Sequence, residues 1–147
     1  MSALKDEQIE FLLQQALAES ARQKLASSIV IVDAGGHVLA ARRPAAGRFA
    51  NIEIARKKAW TAAAFQRPTS MVRSIVVEGA PGYGLQHTTS EMCIVGGGIP
   101  ILNQGGELLG AIGASGGSVE QDIACCMAGL EQAGFRTVFV NPHAPNP

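Results

Sequence analysis

His87 lies in a glycine-rich stretch, Glu78 to Gly98, beside Thr88 and Thr89 and just upstream of Glu91. A neutral imidazole can ligate iron or accept a proton near physiological pH. The stretch also carries Tyr83, Ser90 and Cys93 between its glycines. It is too long and too rich in hydrogen-bonding groups for a plain connector, and such loops in compact domains are usually functional or disordered. Asn51 and Glu53 stand at the start of a helical segment further up the chain, and sites gather at the ends of elements. His87, Thr88, Asn51 and Glu53 are therefore expected to converge on one pocket, with Tyr83 and Met92 as its apolar wall. For a binding protein, His87 is the axial or polar contact to a small planar or carboxylated ligand. For a catabolic enzyme, His87 moves a proton on a small oxo- or hydroxy-acid, with Glu53 or Glu91 as its partner. A third reading, a ligand-free accessory subunit, needs only the assembly surface.

Other candidates carry weaker signals. His37 follows a tight turn and reads as a solvent-facing hairpin residue, and His143 sits in a proline-rich tail. Arg42, Arg43 and Arg48 bracket a loop where they solubilise the surface or clamp a carboxylate. Gly96-Gly97-Gly98 lacks the lysine and helix of a phosphate loop, so a close backbone turn is expected, with no room for a Cβ. Gly113 to Ser118 leads into a helix, where backbone N–H groups can hold an anion. Ser118 and Gln121 have capping-box spacing, which favours capping over that reading. Arg56 and Lys58 read as a solvated face near the start of the second helix. Cys125 and Cys126 are adjacent on a helix, so at most one is expected to face the core. Cys93 with His87 is a candidate nucleophile–base pair lacking an identifiable third residue.

The elements that position these groups follow from periodicity. Ile9, Leu12, Leu13, Ala16 and Leu17 recur at helical spacing across Asp6 to Lys24. Ser28 to Val32 has no polar face and reads as a strand buried on both sides. Asp33-Ala34-Gly35-Gly36 turns it into a second strand, His37 to Ala41. Asn51 is the expected N-cap of a helix reaching about Phe65, with Ala55, Ala59, Ala62 and Ala63 as a small-residue stripe. Pro68 stops that helix, and a short third one runs to about Val77. Ile99 to Leu102 and Leu108 to Ala114 make a second hairpin across Gln104-Gly105-Gly106. A final helix starts at Ser118 and stops at Gly134, and Thr137 to Val140 is expected to be a last strand. The predicted order is α-β-β-α-α-β-β-α-β: an α/β (α+β) domain with an antiparallel sheet of about five strands and helices packed on it. One domain is expected over residues 1–147, with an irregular tail at 141–147.

These residues resemble the GlcG/HbpS-like, heme-binding-protein-like family. The resemblance rests on Val32-Asp33-Ala34-Gly35-Gly36, on Ile54-Ala55, Lys58-Ala59 and Thr61-Ala62 of one helix, on Gly97-Gly98-Ile99-Pro100-Ile101, and on Gly110 to Gly116. The motifs occur in the family's order and spacing over about residues 4 to 140. The resemblance implies a profilin-like sheet-and-helix domain that assembles into homo-oligomers. It also implies a small-molecule ligand, heme in some members, and attachment to corrinoid or diol metabolism in others.

Composition narrows the partners. Lys plus Arg and Asp plus Glu number 12 each, and no basic run stands in for net charge, so no nucleic-acid partner is expected. No stretch approaches the roughly 20 apolar residues of a membrane helix, and the N-terminus lacks a signal-peptide pattern. Three cysteines are an odd count without metal-ligand spacing. The expectation is a cytoplasmic protein with reduced thiols and no resident metal site.

Overall fold

The computed structural model describes residues 3–140. The elements are α1 (Asp6–Arg22), β1 (Ser28–Asp33), β2 (Val38–Arg42), α2 (Ala50–Phe65), α3 (Thr69–Val76), the single 3-10 turn Leu85–His87, β3 (Gly98–Leu102), β4 (Leu108–Ser115) and α4 (Val119–Met127). The strands form a four-stranded sheet in the order β2-β1-β4-β3, with every neighbouring pair antiparallel.

The sheet is covered on both faces, and the pleat of β1 shows how. Ile29 and Ile31 point into a core shared with Leu12 and Ala16 of α1 and with Cys125 and Cys126 of α4. Val30 and Val32 point the other way, onto Ala55, Ala59, Ala62 and Ala63 of α2. Period-two alternation between two apolar layers gives the strand a hydrophobic run with no polar face, as its sequence predicts. In the β1–β2 turn, the Asp33 Oδ1 accepts from the Gly35 and His37 amides at 2.9 and 3.0 Å. Gly36 takes a φ of +85° there, a conformation that favours glycine. His37 is thereby a turn residue with an exposed side chain.

The alanine stripe of α2 has a counterpart in the sheet. Gly98 and Gly113 are register partners across β3 and β4. A Cβ on Gly98 would fall on the Lys58 carbonyl, and one on Gly113 would fall on the Ala55 carbonyl. Two adjacent glycines thus form a trough into which the α2 backbone settles.

Four expectations need correction. Asn51 lies in the first turn of α2, whose N-cap is Phe49. Lys58 is buried at 2% exposure instead of belonging to a solvated face. Cys125 and Cys126 are both buried, at 0% and 1%, because α4 is sandwiched between α1 and the sheet and has two covered sides. The Cys126 thiol approaches the Gly97 carbonyl at 3.2 Å. Finally, Thr137 to Val140 forms no strand, so the sheet has four strands among the described residues and not about five. Its neighbour would have been β3, an edge strand whose Pro100 has no N–H to offer an added strand. Phe135 anchors the segment at 4% exposure, leaving Val138 and Val140 at 79% and 84%. The expected tail at 141–147, including His143, lies outside the described residues.

The thiols give a direct check. Burial pushes the Cys125 thiol up to about 11, with the Asp122 charge adding to it, and burial pushes Cys126 up further. The thiolate is the reactive form, so an aromatic disulfide reagent at pH 8 should titrate Cys93, which is half-buried, and reach the other two only after unfolding. A folded pKa above the unfolded value means stability is full below the ordinary thiol range and falls as pH climbs toward 11. Rapid reaction of all three thiols in the native protein would contradict this packing.

Candidate functional site

The loop between α3 and β3 is fastened to α2 side chain by side chain. The Thr61 hydroxyl donates to the Lys57 carbonyl at 2.8 Å, which leaves its oxygen to accept the Cys93 amide at 2.9 Å. Thr69 works the same way at the head of α3. It donates to the Val95 carbonyl at 2.8 Å and accepts the Gly98 amide at 3.0 Å. Arg56 ties the loop by charge. Its Nη2 donates to Glu53 at 2.6 Å and its Nη1 to Glu91 at 2.7 Å. Hydrogen bonds that it donates to Glu53, then to Glu91, hold the guanidinium firmly charged. Arg56 in turn holds the Glu53 carboxyl below its ordinary range. Glu53 therefore forms its ion pair with Arg56, one turn along the helix.

The predicted site residues fall into separate places. Glu53 and Glu91 meet on Arg56. Tyr83 joins Val76, Val77, Ile94 and Val95 around a mainly apolar cleft of about 360 Å³, which Arg73 and Glu78 also line. His87 ends the 3-10 turn next to Gln86, which also lines this cleft. Its imidazole is exposed and makes no side-chain hydrogen bond among the described residues. Thr88 is exposed and donates to the Leu85 carbonyl at 2.6 Å. Met92 and Cys93 are half-buried. Asn51 belongs elsewhere: its Oδ1 accepts from Ser115 at 3.4 Å, and both residues line a second cleft of about 400 Å³ with Lys24, Arg48, Gly116 and Gly117. Arg43 is occupied by the Gly47 carbonyl at 2.7 Å.

A buried ion pair supports that second cleft from beneath. Lys58 Nζ donates to Asp122 at 3.0 Å and to the Ala114 carbonyl at 2.9 Å. Asp122 Oδ1 accepts the Gly117 amide at 3.1 Å. Burial is the largest influence on the Asp122 carboxyl and pushes it up, against the pull of Lys58 and the glycine amides. The capping box forms as predicted: Ser118 accepts from the Gln121 amide at 3.2 Å and the Gln121 side chain accepts from the Ser118 amide at 2.9 Å. The Gly117, Ser118 and Gln121 amides at the head of α4 are thus taken up inside the chain. Sequence reading missed this pair, although a signal existed. Lys58 falls between Ala55, Ala59 and Ala62 at helical spacing, so a lysine sits within the buried stripe.

Known proteins share this architecture. The chain is 34% identical over 136 residues to the corrinoid adenosyltransferase PduO of Citrobacter freundii. That match covers 92% of this chain but only 40% of the relative's length. Among solved structures, the PduOC:Heme complex superposes with a TM-score of 0.87 at 31% identity, covering 92% of this chain and 99% of that one. The Klebsiella pneumoniae protein ORFY superposes with a TM-score of 0.85 at 28% identity, covering 90% and 92%. The family described as "Haem degrading protein HbpS-like" matches residues 4–131, and the chain belongs to that HbpS-like family.

Proposed function

We propose that this chain is a small-ligand-binding domain whose ligand is heme. The observation that carries the reading is the likeness to PduOC, a relative solved as a heme complex. The residues around Tyr83 suit such a group. Val76, Val77, Ile94 and Val95 offer an apolar wall, and Arg73 a cation for a carboxylate alongside Glu78; His87, which follows the lining residue Gln86 in sequence, has an exposed imidazole. Heme, when bound, would supply a ligand-accepting iron, and His87 is the residue we assign to hold it. Tyr83, 61% exposed, would offer an aromatic packing face.

Exposed apolar residues on the edge strand β2, Val38 at 49% and Leu39 at 43%, support assembly into a homo-oligomer. Free Cys93, Cys125 and Cys126 support a reducing, cytoplasmic setting. The test is hemin titration of the purified protein, with light scattering on the same sample for its mass. A saturable Soret band is expected in wild type, and a shifted or lost band in His87→Ala. The melting temperature of that variant should stay within about 2 °C, since an exposed side chain contributes little to stability. Absence of the band in wild type would remove heme, and an unchanged band in His87→Ala would remove the assigned ligand.

A further inference from the structure

The cleft between the start of β1, the loop before α2 and the β4–α4 turn has a lining of one chemical kind. Lys24 and Arg48 stand at it with no ion-pair partner among the described residues, and no carboxylate lines it. Asn51 spends its Oδ1 on Ser115, which leaves its amide N–H groups as donors. Ser115, the last residue of β4, is only 6% exposed and lines the same cleft, so the sheet itself contributes a polar group to it.

We propose that this cleft binds a small carboxylic acid carrying a neighbouring hydroxyl or oxo group. Arg48 and Lys24 take the carboxylate, Arg48 through its two-pronged guanidinium. Ser115 and Asn51, which line the cleft, take the neighbouring oxygen. Inorganic phosphate is the poorer fit. Phosphate sites at helix starts draw on backbone N–H groups, and here the Gly117 amide is already bound by Asp122. The site stands apart from Tyr83 and His87, so the inference does not rest on the heme reading.

Calorimetric titration of the whole chain with sodium L-lactate, and separately with inorganic phosphate, tests it. Lactate should bind saturably with a dissociation constant in the millimolar range or tighter, and phosphate more weakly. Arg48→Gln should weaken lactate by about tenfold or more. Ser115→Ala should weaken lactate several-fold. The proposal falls if lactate fails to bind, if phosphate binds more tightly, or if Arg48→Gln or Ser115→Ala binds lactate as wild type does.

Discussion

Lys58→Ala is expected to cost about 3–5 kcal/mol of folding stability, the usual consequence of leaving one partner of a buried ion pair alone. For a chain of 147 residues that loss corresponds to a fall in melting temperature of roughly 10 °C. The size follows from the surroundings. Lys58 and Asp122 are 2% and 3% exposed, so neither charge can turn to water when the other is removed. Loss of the ammonium also strips a donor from the Ala114 carbonyl. Lys58→Met combined with Asp122→Asn should be much milder than the sum of the two single changes. Methionine fills the aliphatic path of lysine, and asparagine keeps an acceptor for the Gly117 amide. Chemical denaturation of the four proteins gives the coupling directly. A Lys58→Ala protein within about 1 kcal/mol of wild type would mean the pair is solvated and the burial wrong.

Gly98→Val should be nearly as damaging, with a loss of about 3 kcal/mol, the upper part of the overpacking range. A Cβ there meets the Lys58 carbonyl, and Thr69 Cγ2 lies 2.7 Å away. The first obstacle is backbone held within a helix, so no rotamer change makes room. Relief requires lifting α2 off the sheet, which would also open its contact at Gly113. Gly105→Ala is the matched control. Its nearest neighbour, an Asn103 oxygen, lies at 3.4 Å and its φ is ordinary, so the change should be neutral or gain a few tenths of a kcal/mol. Equal melting temperatures for Gly98→Val and Gly105→Ala would show that the glycine trough does not position α2.

Much of the framework was legible because it is written in local pattern. The stripe Ile9, Leu12, Leu13, Ala16 could serve only one face of a helix, and Ser28 to Val32 had no polar side to show to water. The Asp33 turn, the Ser118–Gln121 capping box and the stop at Pro68 depend on residues within a few positions of one another, so their chemistry fixes the structure without reference to the rest of the chain. The fifth strand failed for a reason that local pattern does not hold. Thr137 to Val140 has the composition of a strand, but pairing needs a neighbour with a free edge, and Pro100 interrupts the donors of β3.

The candidate sites divided along the same line. Sequence alone determined that polar groups gather in the loop after α3 and at the start of α2, and that glycines at 97 and 98 must meet another backbone. Only the tertiary structure decided which groups meet. Arg56 collects Glu53 from its own helix and Glu91 from 35 positions further along the chain. Lys58 reaches Asp122 across 64 positions, which turns a lysine expected in water into the polar centre of the core. Asn51 turns toward Ser115 and leaves His87 to a different surface. Those partnerships depend on the sheet order β2-β1-β4-β3 and on α2 lying in the trough at Gly98 and Gly113. A side chain's charge and burial are fixed by neighbours distant in sequence, and periodicity describes only the face it leaves from.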